Sequence, residues 1–321
     1  MAILRLGTRG SALALVQART VAALLLERTG VETEFVVIKT SGDRLADAKL
    51  SEVGGKGLFV KEIEDALLAG TIDLAVHSSK DMPARLPAGL EVRAALPRED
   101  PRDALVLPLP AEELTFEAAV ARLGPAPRIG TSSVRRAAQL TVLIPHAQFE
   151  PFRGNLDTRL RKLDRGDVDA IVLAAAGLRR LEQAGRISAF VPPAGCVPAP
   201  GQGIVAVEIR RADTATAAVV EQIGDRDALD ALCAERAVVD ELGGGCQMPI
   251  GAHATVSGDT IALTSVVIAP DGSRVARAAA EGPRSGADAV GRMVARQLLA
   301  AGADDILARI RATDHTSGSR T

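Results

Sequence analysis

Through the first two thirds of the chain, short aliphatic and β-branched runs alternate with stretches whose apolar residues recur every three or four positions. This is the pattern of α/β domains with mainly parallel strands. It predicts a strand over Ile3–Leu6, a helix capped by Ser11 and running to about Arg28, and a second strand over Phe35–Lys39. Phe59, Ile63, Ala66 and Leu67 fall on one helical face, followed by a strand over Asp73–His77. The rhythm resumes with strands over Ala104–Leu107, Arg128–Gly130, Gln148–Phe152 and Ala170–Leu173. Between them lie helices near Phe116–Leu123, Val134–Leu143 and Leu156–Leu163. A last strand of this part, Ile204–Ile209, is expected to return to the first lobe.

The two stretches echo one another. Gly7-Thr8-Arg9-Gly10-Ser11 and Gly130-Thr131-Ser132-Ser133 each close a strand and open a helix, and the run from Gly70 to Val76 parallels that from Gly166 to Val172. Two similar lobes imply a cleft between them. The proline-rich segments Pro97–Pro101 and Pro192–Gly201 read as crossings. Beyond Asp225 the character changes to a helix over Arg226–Glu241, three alternating strands (Gly251–Val256, Ile261–Ile268, Arg274–Ala280) and helices near Gly286–Ala300 and Ala303–Ala312. The expected domains are a first α/β lobe over 1–97 plus 201–222, a second over 101–197, a C-terminal α+β domain over 225–312, and a flexible tail over 313–321.

Composition narrows the function. With 47% hydrophobic and 24% charged residues and a net charge of −2, the chain reads as globular, without a global basic field for nucleic acid. Aromatic content of 2%, with no Trp or Tyr, argues against sugar platforms and base-stacking surfaces. Three cysteines, Cys196, Cys233 and Cys246, are too few and too unpatterned for a disulfide framework or a zinc site. The start carries no secretion pattern, and no uncharged apolar stretch reaches membrane-spanning length. A cytoplasmic protein without membrane or nucleic-acid partners is expected.

Candidate chemistry centres on Cys246, in Leu-Gly-Gly-Gly-Cys-Gln-Met-Pro-Ile-Gly over 242–251. The glycines remove side-chain bulk so that backbone and sulfur can approach something large, and thiolate is a strong carbon nucleophile. A small buried hydrophobe in a turn is the alternative reading. Ligands of open α/β sheets bind beyond the carboxyl ends of strands. There the pattern places Arg9 and Ser11, then Ser78, Ser79, Lys80 and Asp81, then Thr131, Ser132, Ser133, Arg135 and Arg136, then Arg153 and Arg159, and finally Arg179 and Arg180. Each arginine alone is an ordinary surface residue; together they suit a substrate carrying several carboxylates or phosphates. Asp81 is the one acid among them, either a turn residue before Pro83 or the group that steadies a positive charge and passes a proton. Gly54-Gly55-Lys56-Gly57 lacks phosphate-loop spacing and reads as a loop tip, and Gly201-Gln202-Gly203 precedes its strand. The four histidines lack metal-ligand spacing, so no metal is expected. Cys233 is expected to pack on an apolar helix face, and Cys196 has no evident partner.

Seven segments, 54–62, 77–83, 98–104, 130–136, Arg153-Gly154-Asn155, 198–203 and 243–251, occur in order and together resemble the porphobilinogen deaminase family, from about Ile3 to Ala312. The resemblance implies two periplasmic-binding-protein-like α/β lobes with mainly parallel mixed sheets, plus a C-terminal α+β domain with a three-stranded antiparallel sheet. It implies a transferase that joins four porphobilinogen molecules head to tail, with loss of ammonia, into hydroxymethylbilane for tetrapyrrole and heme biosynthesis. The implied cofactor is a dipyrromethane held by a thioether at Cys246, with Asp81 as catalytic acid stabilising the electron-poor azafulvene left when ammonia departs. Lys80, Ser78, Thr131, Ser133, Arg135, Arg136 and Arg159 match positions that hold mainly cofactor, together with Asp81. Arg9, Ser11, Arg153 and Arg180 match those that receive substrate. A monomer is implied, with a downstream uroporphyrinogen-III synthase as a partner. Gly243, Gly10 and Met248 depart from the family pattern, where Glu, Gln and Val are usual; Gly243 loosens the loop before Cys246.

Two other classes fit parts of the pattern. A non-enzymatic bilobed anion-binding module would use the arginines but has no need of Cys246. A cysteine-nucleophile acyl transferase would call for a histidine beside the thiol, and none is near it in sequence.

Overall fold

Strand alternation in this chain builds three sheets. The computed structural model describes residues 3–41, 60–245 and 247–317, with side chains through Ala312. The loop tip at 54–57, Phe59 and Cys246 lie outside the described residues.

The first sheet has the order β2-β1-β3-β10-β4, from β1 (Leu4–Thr8), β2 (Thr33–Val37), β3 (Leu74–Ser78), β4 (Leu90–Ala95) and β10 (Val205–Arg210). The second has the order β7-β6-β8-β5-β9, from β5 (Asp103–Val106), β6 (Arg128–Gly130), β7 (Gln148–Glu150), β8 (Ala170–Ala174) and β9 (Ala189–Phe190). Both are mixed in the same way. β1 pairs parallel with β2 and β3, as β6 does with β7 and β8. The fourth strand, β10 or β5, runs antiparallel to both neighbours. Each antiparallel strand follows a crossing, so the return of the chain at 205–210 to the first sheet, expected from its apolar run, is what the structure contains.

The sequence echo has a structural counterpart. Asp73 Oδ2 accepts from the Arg5 amide at 2.9 Å while its own amide donates to the Arg5 carbonyl at 2.8 Å. Asp169 repeats both bonds with Arg128, at 2.7 and 2.9 Å. The same carboxylate thus ties the third strand of each sheet to the foot of the first.

Helices cover the sheets where polar caps let them begin. α1 (Ala12–Thr29) starts at Ser11, whose hydroxyl accepts from the Ala14 amide, and stops at Gly30, which adopts φ 69°. α2 (Lys61–Leu68) buries Ile63 and Leu67 against the other face of the first sheet. In the second lobe, α3 (Phe116–Arg122), α4 (Val134–Leu143) and α5 (Leu156–Asp164) are capped by Thr115, Ser133 and Asn155. α6 (Ala175–Arg180) follows β8 directly, and α7 (Thr214–Val220) follows β10.

The last sheet, β11 (Ile250–Ser257), β12 (Thr260–Ile268) and β13 (Val275–Pro283), is antiparallel throughout. α8 (Arg226–Glu241) and α9 (Ala287–Ala300) pack on it over a core that includes Val238, Leu263, Val294 and Leu298. α10 (Ala303–Ser317) ends beyond the Ala312 expected from the sequence. Apolar contact among Ala138 of α4, Val197 of the second crossing and Val266 and Ile268 of β12 seats this sheet beside the second lobe.

Candidate active site

The anion-suited residues gather at the carboxyl ends of strands. Ser78 closes β3, and Lys80 and Asp81 lie in the short 3-10 turn Ser79–Asp81 that follows. The Ser79 amide donates to the Ile204 carbonyl and the Met82 amide to Ser79, which fixes the turn against β10. Ser78 exchanges hydrogen bonds with Gln17 of α1 at 2.8 and 3.0 Å. Arg9, Ser11, Gln17, His77, Ser78 and Asp81 border one small cavity of the first lobe. Arg9 follows β1, while Ser11 is engaged at the α1 cap.

Across from these, Thr131 follows β6, and its hydroxyl accepts from the Ser133 amide at 3.2 Å. Ser133 in turn caps α4, which places Arg135 and Arg136 in that helix's first turn. Arg153 follows β7, and Arg159 sits on α5, its Nε donating to the Gly154 carbonyl at 2.8 Å. Arg180 ends α6 and donates to the Gly203 carbonyl at 2.6 Å.

Electrostatics bring the two lobes together. Lys80 has its pKa pulled down to about 8, by burial first and then by Arg136, with Asp81 and Asp103 opposing. Arg159 is pulled down to about 10, by burial and then Arg136, again with Asp81 opposing and Arg153 adding to the fall. Lys80 and Asp81 of the first lobe therefore share a field with Arg136, Arg153 and Arg159 of the second. Burial and neighbouring arginines both disfavour the charge on Lys80 and on Arg159, so the site gathers several cations around Asp81. Bound carboxylates would favour the charged forms of Lys80 and Arg159, so the residues present fit a multiply acidic group.

The arginine pair is held by a carboxylate that the sequence reading passed over. Asp103, fully buried at the start of β5, accepts from Arg135 Nη2 at 2.8 Å and from Arg136 Nε at 2.9 Å. Gln202 donates to the same carboxylate at 2.9 Å and accepts from Arg136 at 3.3 Å. Burial alone would raise the Asp103 pKa, but Arg135 and Arg136 hold it far below the ordinary carboxylate range. Burial likewise opposes the Arg135 charge, and Asp103 carries that pKa above its usual value. Arg135 also donates to the Val197 carbonyl at 2.7 Å, so its end groups are engaged by protein and by the second crossing. Asp103 stood inside the segment 98–104, the signal that could have found it.

Two cysteine expectations change. Cys196 is buried with Sγ 3.4 Å from Asp103 and 3.5 Å from Arg135, and burial next to Asp103 pushes its pKa up to about 12, which makes it inert. Cys233, expected in packing, is exposed: its neighbour Leu232 packs toward the first lobe and Ala234 toward the C-terminal sheet, which leaves Cys233 on the outer face of α8.

The loop that carries Cys246 is placed on both sides of it. α8 ends where the Gly244 amide donates to Val239, and Arg311 of α10 donates to the Leu242 and Gly243 carbonyls at 3.1 Å. The Met248 amide then donates to Gly245 at 2.9 Å.

Comparison with known proteins points to one family over nearly the whole chain. A family model described as porphobilinogen deaminase, dipyromethane cofactor binding domain, matches residues 4–218, and one described as porphobilinogen deaminase, C-terminal domain, matches 229–300. A porphobilinogen deaminase of Bordetella parapertussis is 49% identical over 97% of this chain and 97% of its own length. One of Syntrophobacter fumaroxidans is 46% identical over 96% and 98%. Among solved structures, the L-cystine solute receptor of Neisseria gonorrhoeae in its unliganded open conformation covers 76% of this chain and 94% of its own at 14% identity and a TM-score of 0.40.

Proposed function

Because the chain belongs to the porphobilinogen deaminase family, we propose that Asp81 is its catalytic acid and Cys246 the attachment point of its cofactor. The chain is a transferase that polymerises porphobilinogen into hydroxymethylbilane on a dipyrromethane cofactor. A non-enzymatic anion binder is not favoured by that membership.

The observation that supports the residue assignment is the shared field of Lys80, Asp81, Arg136, Arg153 and Arg159. Porphobilinogen carries acetate and propionate groups together with an aminomethyl group that leaves as ammonia. Arg9, Ser11, Arg153 and Arg180 would receive the carboxylates of the incoming monomer. Lys80, Ser78, Thr131, Ser133, Arg136 and Arg159 would hold those of the cofactor; Arg135, expected among them, has its end groups on Asp103 and the Val197 carbonyl, and would serve with Asp103 as the wall behind Arg136. When bound, the dipyrromethane supplies the pyrrole carbon to which a new unit is joined. Asp81, the acid that opposes the fall in both the Lys80 and the Arg159 pKa, steadies the positive charge that develops on the substrate as the C–N bond breaks, and it passes the proton released when the new C–C bond forms. A low-dielectric cleft strengthens that interaction well beyond its value in water. The reading extends to a cytoplasmic monomer whose product passes to uroporphyrinogen-III synthase.

Asp81→Ala tests the assignment. Turnover should fall about 10²- to 10⁴-fold, the range for loss of a positioned acid–base group, with the circular dichroism spectrum unchanged. Turnover equal to that of the unaltered protein would show that another group is the acid.

A further inference from the structure

Behind the catalytic segment, three ionisable side chains meet out of contact with water. His77 of β3 is 5% exposed, Glu208 of β10 is 0% and Glu64 of α2 is 6%. His77 Nε2 lies 3.0 Å from Glu208 Oε2. Strand alternation explains the meeting. Leu74 and Val76 face the α1 side, while Ala75 packs with Ile63 and Leu67 of α2, so His77 also falls on the α2 side. Ser78, Lys80 and Asp81 follow His77 directly in the chain.

The cluster is short of hydrogen atoms. Oε1 of Glu64 and Oε1 of Glu208 are both buried and accept no hydrogen bond among the described residues. Burial, then the Glu208 charge, pushes the Glu64 pKa up to about 7, with His77 opposing. Asp65 of α2 adds slightly to that rise, and Arg236 of α8 works against it. Farther down the same face, the Arg210 guanidinium is engaged by Asp73 and by the Leu67 and Ile72 carbonyls, and Arg5 by Asp73. β4 turns apolar Leu90 and Val92 toward this layer. With both carboxylates ionised, two negative charges would share one dry layer; a proton on Glu64 removes one of them and supplies the missing donor. Neutral, fully bonded clusters are the favourable ones away from water.

We propose that Glu64, Glu208 and His77 are positioning residues for the catalytic segment, protonated Glu64 closing α2 onto β3 so that Ser78, Lys80 and Asp81 are held in place. This rests on the reading of Asp81 as the acid. Loss of the Glu64 proton puts two carboxylates side by side in a dry layer, and the repulsion parts α2 from β3 beneath the active turn. The three act through the strand end that carries Ser78 and leads into Lys80 and Asp81.

The test is the pH dependence of the holoenzyme with Glu64→Gln, which keeps a donor but cannot ionise. In the unaltered protein, kcat for porphobilinogen should fall on the order of fivefold through a transition near pH 7, with KM little changed. Glu64→Gln should lack that transition. Superimposable profiles overturn the proposal even where stability differs, since the cluster would then be purely structural. Should Glu64→Gln fail to yield holoenzyme, Glu64→Asp carries the test: its shorter acid should displace the transition, and an unmoved profile overturns the proposal. An active Asp81→Ala would sink the acid assignment, whereas an inactive Asp81→Ala beside an unchanged Glu64→Gln profile sinks only the clamp.

Discussion

At Asp103 one carboxylate accepts from Arg135, Arg136 and Gln202, with the Cys196 thiol also within reach. Nothing in that pocket could replace it, because the two guanidinium groups are only 3% and 7% exposed. Removing one partner of a buried charge cluster leaves the others uncompensated. Asp103→Asn should therefore lower unfolding free energy near neutral pH by about 3 to 5 kcal/mol in urea denaturation; a loss under about 1 kcal/mol would mean that the arginines find other partners. Since the folded pKa of Asp103 is depressed, its contribution is present above the ordinary carboxylate value of 3.8 and is lost as pH falls toward the folded value. The gap between the two proteins should narrow on acidification. The pair His77 and Glu208 makes the opposite point about reading: they are 131 positions apart, and no local pattern announces such a pair.

Among the elements, the crossings decide where the cationic side chains end. Gly203 has φ +90°, and a Cβ there would lie 2.2 Å from the Glu99 carbonyl oxygen, so only glycine fits. Its carbonyl accepts from the Glu99 amide and from Arg180, the arginine proposed to receive substrate, and so links it to the first crossing. Gly203→Ala should cost about 2 kcal/mol or more of stability and raise KM for porphobilinogen as Arg180 loses its anchor. An unchanged KM in folded protein would detach Arg180 from substrate binding. Strong periodicity made most of these elements legible, β10 included, since Val205–Arg210 is buried along nearly all its length. β4 escaped because Leu-Glu-Val-Arg-Ala-Ala ends in residues of low strand preference, and six-residue α6 because its Ala-Ala-Gly start carries no cap signal. The anion-suited residues were legible as strand-end positions, but Asp103, Gln17 and Gln202 were not, because their roles arise only when distant strands pair.

For the molecule as a whole, two lobes of like strand order face each other across a cationic site although the net charge is only −2. Buried Glu235 of α8 joins the C-terminal domain to both crossings: it accepts from Arg98 at 2.6 Å, from the Gly201 amide at 2.6 Å and from the Ala254 amide at 2.7 Å. Arg85 pairs with Asp240, and Arg236 donates to the Ala84 carbonyl, docking α8 beside the turn that follows Asp81. The segment flanking Cys246 is thus carried on a domain tied at several points to the parts that hold the cations. That placement gives a covalently tethered, carboxylate-bearing primer a reason to exist in this chain. Intact-mass spectrometry of the purified protein beside Cys246→Ala tests it most directly. The unaltered protein should be heavier than its polypeptide by a two-pyrrole adduct that the variant lacks; an active, unaltered protein at the bare polypeptide mass would contradict the account.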